Sequence, residues 1–410
     1  MASFTLWCNV ASGRSTFALG VALGLGACLL LMRPKPTWGV LTGAATVSVL
    51  ATMASPMAGP FLLVAAAAWL LVGELSKAAA LGAPPIVVIA LTTTLFPFSG
   101  EQPMQAWDLW GPLIFSVLLV MAGPIQWRAL KAGAGVYAAG AVLAYLIPTP
   151  VGSNVIRLAE LFAAPVLLAA LLAPGLQALR RLTLAGALVL SLAWVTEHTV
   201  QMLRTSTPVP AWATETRGVV SALDRLEADR VRVEAVPADN HREITALASH
   251  VNLARGWTRQ FDVKRGRLFY DGSFSATAYR AWLDKWAVGF VVLASGTPDD
   301  YAEDEAKLVA TKPNWLELEW KDKHWKVFRV RNAVPMVSAP ASVVQSTSTD
   351  MVVRVPERGS VTVRIAYSPW LRAEGACLKR HGEFTQLTVE TPGTYRISSG
   401  YGRSSGPSAC

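Results

Sequence analysis

Charge is what the first half of this chain lacks. Residues 1–204 hold ten Lys or Arg and five Asp or Glu, whereas residues 205–410 hold 27 and 23. A water-soluble core has no need of so long a stretch without charge. A bilayer does, because an ionised group at mid-depth costs several kcal/mol. Cysteine is scarce as well: Cys8, Cys28, Cys377 and Cys410, with no CxxC and no His/Cys cluster, define no zinc site, and no metal is expected. A Cys377–Cys410 disulfide is compatible with an oxidising compartment. No basic run is interleaved with aromatics, which argues against a nucleic-acid partner despite a net charge of +9. GxSxG, Walker A and HExxH patterns are missing, so the sites those motifs build are not expected.

What the first half does contain is apolar sequence. Eight segments read as membrane helices, at 15–32, 38–54, 59–73, 78–97, 110–127, 132–147, 158–175 and 182–203. Several lie near the lower limit of about 17 residues for crossing the hydrocarbon, and the third is the weakest. No secretory signal is evident, since the first apolar run continues into further spans. Alternate connectors carry Arg33 and Lys35, Glu74 and Lys77, Arg128 and Lys131, and Arg180 and Arg181. The intervening ones, 55–58, 98–109 and 148–157, hold Glu101, Asp108 and a single basic residue, Arg157. The positive-inside rule assigns the first set to the cytoplasm, and residues 205–410 to the outer face of a bacterial plasma membrane. Trp38, Trp107, Trp110, Trp127 and Trp212 lie at segment ends, as an interfacial aromatic belt requires. An even span count puts the N-terminus outside, which reads as the C-terminal part of a larger ancestor. The glycine-rich GVALGLGAC lies inside a span and is expected to pack helices rather than hold phosphate.

The second half has ordinary soluble composition. After Pro208 and Pro210 the spacing predicts an amphipathic helix over 214–229, and an alternating strand over 230–236, with the run VRVEAV. A helix over 275–286, a strand over 288–294, the turn GTPDD and an acidic helix near 300–310 follow. Residues 315–320 and 325–330 read as a hairpin around KDKH. From Pro340 the pattern becomes short strands at 351–355, 360–367, 385–390 and 394–398. The expected fold is therefore an α-helical polytopic membrane bundle over 1–204. An extracytoplasmic α/β domain over 205–338 and a small β-sandwich over 339–410, with a mobile tail, complete it.

Three stretches carry a family resemblance. They are DNHREITALASHVNLARGWTRQFDVKRGRLFYDGSFSATAYRAWL (239–283), VTVRIAYSPWLRAEGACLKRHGEFTQLTVETPGTYRISS (361–399) and PTPVGSNVIRLAELFAAPVL (148–167). Together they resemble actinobacterial multi-span proteins related to the GT-C type of glycosyltransferase. The resemblance implies cell-envelope glycan assembly, with a polyprenyl-phosphate-linked sugar as donor and membrane lipid as surroundings. It also implies an acidic residue or pair in the first outer loop, acting as base or metal ligand. Residues 1–60 contain no acidic pair, and the outer connectors offer only Glu101 and Asp108, with Glu160 just inside a span. The expectation is a truncated or non-catalytic relative that binds a lipid-linked sugar. A multi-span transporter and a membrane-anchored glycan-binding module are the alternatives.

Two clusters are candidate substrate-binding residues. Asn154, Arg157 and Glu160 follow Pro148, Pro150 and Gly152. Arg157 and Glu160, three residues apart on a helix, can pair, and Arg157 suits a lipid phosphate. The bland alternative is a local ion pair at the interface. His241, Glu243, Arg255, Trp257, Arg259 and Tyr270 form the densest polar and aromatic group of the second half. Aromatic faces stack on sugars and Arg reads carboxylate or phosphate, so a glycan or lipid-linked saccharide fits; a purely structural network fits as well. Glu197 and His198 are neighbours that invite a proton-transfer reading, but adjacent helical side chains diverge by about 100°. Trp282, Trp286, Trp315, Trp320 and Trp325 are expected in the core rather than on a ligand platform.

Overall fold

Every one of the eight apolar segments folds as a helix. In the computed structural model, which describes residues 2–97, 100–256 and 258–399, a short helix α1 (Ala2–Ala11) precedes them. They are α2 (Ser15–Leu30), α3 (Trp38–Ala54), α4 (Ala58–Leu71), α5 (Leu75–Leu95), α6 (Ala106–Ala122), α7 (Arg128–Leu146), α8 (Ile156–Leu171) and α9 (Ala178–Ser206). The helices Leu75–Leu95, Arg128–Leu146, Gly152–Leu171 (α8 with its leading 3-10 turn) and Ala178–Ser206 are long and apolar enough to cross a membrane. The other four are shorter. The 14 residues of α4 rise about 21 Å against a hydrocarbon core of about 30 Å. Some prolines mark helix boundaries, Pro34 and Pro36 between α2 and α3 and Pro124 between α6 and α7. Others do not: Pro84 and Pro85 lie inside α5, Pro112 inside α6 and Pro165 inside α8. Glycines set the packing. A Cβ on Gly20 would press on the Ala51 carbonyl and on Ser55, and one on Gly24 would touch Leu62, so GVALGLGAC packs α2 against α3 and α4. Large apolar side chains such as Leu29, Leu71, Val87, Met121, Leu146 and Leu172 stay exposed. An apolar surface this extensive suits lipid contact rather than water.

The chain divides between Pro208 and Val209 into two compact units. The second begins with α10 (Ala211–Thr214), α11 (Arg217–Arg225), β1 (Arg232–Ala235), α12 (Arg242–Leu247), β2 (Asn252–Leu253), α13 (Arg259–Arg265) and α14 (Ala276–Lys285). It continues through β3 (Val288–Ala294), α15 (Glu303–Thr311), β4 (Leu316–Lys321) and β5 (Trp325–Val330). The sheet order is β2-β1-β3-β5-β4. Strands β1, β2 and β3 run parallel, and β5 is antiparallel to both β3 and β4. Helices cover both faces, with Val219, Leu223 and Leu247 on one and Tyr279, Leu283 and Val309 on the other. The alternation expected of VRVEAV is not what β1 shows. Val233, Glu234 and Ala235 are all buried, as in a parallel strand covered on both sides. That burial carries a glutamate into the interior, with consequences for the site.

The sandwich has a three-stranded sheet, β10-β11-β8, facing a four-stranded one, β6-β7-β12-β9. Its strands are β6 (Ser342–Ser346), β7 (Asp350–Val355), β8 (Gly359–Ala366), β9 (Leu371–Ala373), β10 (Ala376–His381), β11 (Phe384–Val389) and β12 (Gly393–Ser399). Four match the expected strands; β6, β9 and β10 were not foreseen. Inward residues Val353, Val363, Leu387 and Ile397 alternate along the strands and close the core, joined by Ala287 from the α/β part. Trp282, Trp286 and Trp325 are buried, and Trp315 and Trp320 are partly so, as expected. Trp212 is a correction. It is 4% exposed and meets Trp325 edge to face at 5.5 Å, accepting the Trp325 indole N–H on its carbonyl at 3.0 Å. It is a core residue, not part of an interfacial belt. Cys410, and with it the suggested disulfide, lies outside the described residues.

Candidate functional site

Neighbouring parallel strands β1 and β3 send the chain to opposite faces of the sheet, β1 towards α12 and β3 towards α15. Such a divergence opens a crevice at the strands' carboxyl ends, where open α/β sheets receive ligands. The two loops are tied together at their edges. Ala238 bridges Pro298, Asp239 N–H donates to the Thr297 carbonyl at 2.9 Å, and Asp299 N–H donates to the Pro237 carbonyl at 2.9 Å. Around this crevice stand His241, Glu243, Arg255, Arg259 and Tyr270, five of the six residues picked out in the second half, with Asp262, Asp299 and Tyr301. Trp257, the sixth, lies outside the described residues.

His241 takes a left-handed backbone, φ 53°, immediately before α12. Its Nδ1 is 3.7 Å from a Glu243 carboxylate oxygen and its Nε2 is 3.5 Å from one of Asp299. Both are ion-pair distances rather than hydrogen bonds. Burial works against the charged imidazole, but the two carboxylates outweigh it and push His241 up to about 8. Burial likewise opposes charge on Asp299, yet His241 and Arg259 hold its carboxyl below the usual range. Arg259 donates to Asp299 at 2.6 Å and lies over the Tyr301 ring, which tilts against Tyr270 at 4.8 Å. Burial pushes the Asp262 carboxyl up to about 6 despite the pull of Arg255, and pushes Tyr270 up to about 12. Asp299 sits in GTPDD, which reads as a mere turn. The signal that could have found it is its place just after an apolar strand, at the carboxyl edge of the sheet.

Arg255 is committed elsewhere. It is 4% exposed, and its Nε donates to Glu234 at 2.8 Å while its Nη2 reaches both Glu234 and Glu305. Tyr279 donates its hydroxyl to Glu305 at 2.7 Å, and the guanidinium lies on the Phe269 ring with its centre 3.7 Å away. The glutamate that parallel β1 carries inside therefore uses the cation expected to read a ligand. The crevice itself is small, about 20 Å³. One water-sized group needs about 10–15 Å³, so such a group fits and a sugar ring does not.

In the first unit, a 3-10 turn (Gly152–Val155) holds Asn154 and leads into α8, which carries Arg157 and Glu160. Gly152 has φ 41°, and a Cβ there would overlap the Gln102 carbonyl oxygen. Gln102 N–H donates to Thr149 at 2.9 Å and its side chain donates to Ser153 at 3.1 Å. The Tyr137 hydroxyl inserts into the first turn, donating to the Val155 carbonyl at 2.8 Å and accepting from Ala159 N–H at 3.2 Å. These contacts fix the start of α8 and so the position of Arg157. Gly152→Ala is expected to lower the stability of this unit by about 1–3 kcal/mol, seen as an earlier thermal transition in detergent.

Arg157 lies over the Phe17 ring at 5.1 Å. The expected Arg157–Glu160 pair is not closed: no ion pair joins them among the described residues, although Glu160 lies within electrostatic reach of Arg14, Arg157, His198 and Asp108. Asp108 serves α6 by accepting the Gln105 N–H at 3.2 Å in a capping box. Glu197 is exposed, whereas His198 is half-buried with its ring on Trp194 at 4.8 Å, so the two diverge as helix geometry requires. The same unit holds an apolar cavity of about 790 Å³, walled by α2, α4, α6, α7 and α8 through Gly24, Phe61, Leu119, Tyr137 and Phe162. Sequence reasoning missed it, because only the packed helices define it.

Residues 338–379 match a domain of unknown function (DUF8823), covering β6 to β9 and the first part of β10. No curated protein and no solved structure matches the chain.

Proposed function

We propose that this chain is an integral membrane protein of cell-envelope glycan assembly, similar to GT-C type glycosyltransferases, that holds a lipid-linked sugar. The observation that best supports this reading is an apolar cavity of about 790 Å³ among the apolar helices, which has Arg128 in its lining and is walled on α8 from Leu158, the residue after Arg157. A cavity of that size and lining suits an isoprenoid or acyl chain. Arg14 and Arg157 both lie within electrostatic reach of the buried Glu160, and a guanidinium offers a phosphate paired N–H donors. On this reading all eight apolar helices lie in the membrane and the second unit is extracytoplasmic, so protease added to intact cells removes it. With Asp108 used as a cap, the reading is of a lipid-sugar binder rather than a complete transferase.

Arg157→Ala is expected to weaken binding of a polyprenyl phosphate by about tenfold or more, measured on the purified chain in detergent. Unchanged affinity would remove the basis of the proposal. A second reading, an outer glycan-binding module, draws on a cleft of about 460 Å³ in the second unit, whose lining includes Arg232, Asn252, Thr347 and Asp350. Glycan binding that survives Arg157→Ala at full strength favours it.

A further inference from the structure

Glu243 is 1% exposed, and neither of its carboxylate oxygens has a hydrogen-bond partner among the described residues. A buried carboxylate without a donor is costly, and native folds seldom leave one. It lines the crevice at the carboxyl ends of β1 and β3, where ligands of open α/β sheets bind. The cations around it are engaged with other groups. Arg255 is held by Glu234 and Glu305, Arg259 by Asp299, and His241 stands 3.7 Å off, between Glu243 and Asp299. Asp262 adds a further carboxyl to the lining, and Tyr270 and Tyr301 present aromatic rings. What Glu243 lacks is therefore a hydrogen-bond donor, and the three carboxyl groups of the lining, Glu243, Asp262 and Asp299, favour one that carries positive charge.

We propose that the crevice at the carboxyl ends of β1 and β3 is a binding site for a primary ammonium group, with Glu243 as its principal acceptor. Size decides for the head group alone. About 20 Å³ takes an ammonium, with the rest of the molecule outside. Chemistry decides against a metal ion, because no group of three or more His, Cys, Asp or Glu is placed to hold one among the described residues. An ammonium has three N–H donors for the surrounding carboxylates and a charge that favours the tyrosine rings. Free small amines and amino sugars share this chemistry. The inference does not rest on the lipid-phosphate reading, whose test lies at Arg157.

The test is thermal unfolding of the full chain in detergent and amine-free buffer, with methylammonium, glucosamine, glucose, tetramethylammonium and sodium chloride at matched ionic strength. At about ten times its Kd, an amine that binds raises the transition by about 3–5 °C. Sodium, glucose and tetramethylammonium, which lacks N–H donors and is too wide, leave it unmoved. Tighter binding of glucosamine than of methylammonium identifies an amino sugar as the source; equal affinity identifies a free amine. Glu243→Gln lowers amine affinity by about tenfold or more. A Glu243 that was only structural would shift the basal transition and leave the amine response intact, and that result overturns the proposal. If Glu243→Gln does not fold, the wild-type series still decides. No response to either amine leaves the crevice to a water and overturns the inference, as does an equal response to tetramethylammonium or sodium.

Discussion

Replacing Arg255 with methionine is expected to destabilise the second unit by about 3–5 kcal/mol, lowering its thermal transition by on the order of 10 °C. The size follows from what is left behind. Glu234 and Glu305 are 0% and 1% exposed, and Arg255 is the cation that both contact. Methionine fills much of the volume against Phe269 and Trp282, so the loss is chiefly the cost of two uncompensated buried carboxylates rather than of a cavity. Burial already pushes the Glu234 carboxyl well up, and Arg255 is the main pull against it. Removing that pull raises it further. The variant is therefore expected to regain stability as pH falls and Glu234 takes a proton. Glu234→Gln and Glu305→Gln added to the methionine variant should restore much of the loss, since neutral amides carry no such penalty. Denaturation followed by tryptophan fluorescence, with Trp282 close to the guanidinium, reads all of these. A transition within a degree or two of wild type in Arg255→Met would show that the network carries little stability.

The same residue shows where the sequence could be read and where it could not. Apolar composition alone located the eight helices, because lipid-facing and packed positions both demand it; α1, short and carrying Ser3, Thr5 and Asn9, lacks that signal. The order of β1, α14 and β3 was legible from segment spacing, as was the change to short strands after Pro340, whereas α12, β2 and α13 were not. The parallel burial of β1 was not, since VRVEAV looks like a half-exposed strand until β2 and β3 are known to flank it. For that reason Glu234 passed unnoticed and Arg255 looked available. His241, Glu243, Arg259 and Tyr270 were selected for residue type and density along the chain, and the sheet does bring them to one crevice. Asp299 and Trp212 escaped for the opposite reason. Their partners Arg259 and Trp325 are 40 and 113 residues away, distances over which a single sequence carries no pairing signal.

The second large effect concerns pH. His241 is pushed up from 6.5 to about 8 by Asp299 and Glu243 acting against burial, and its side chain is only 14% exposed, so solvent screening is modest. A group bound more tightly to its proton in the folded state stabilises the fold where that proton is present. The contribution, about 2 kcal/mol, is complete below about pH 6.5 and is lost as pH rises through about 8. Arg259 keeps Asp299 ionised across this window, and Asp262, pushed up only to about 6, also carries negative charge through most of it, so the imidazole is the group that changes. Unfolding free energies measured in amine-free buffer should fall by about 2 kcal/mol between pH 6 and pH 9. His241→Asn is the suited control, because asparagine tolerates the left-handed φ of 53° but cannot take a proton. Its profile should be flat above about pH 7, where Asp262 is ionised, and should meet the wild-type curve at the alkaline end, where His241 has lost its charge. A wild-type profile as flat as that of the variant would mean that the imidazole does not couple to the two carboxylates as the geometry requires.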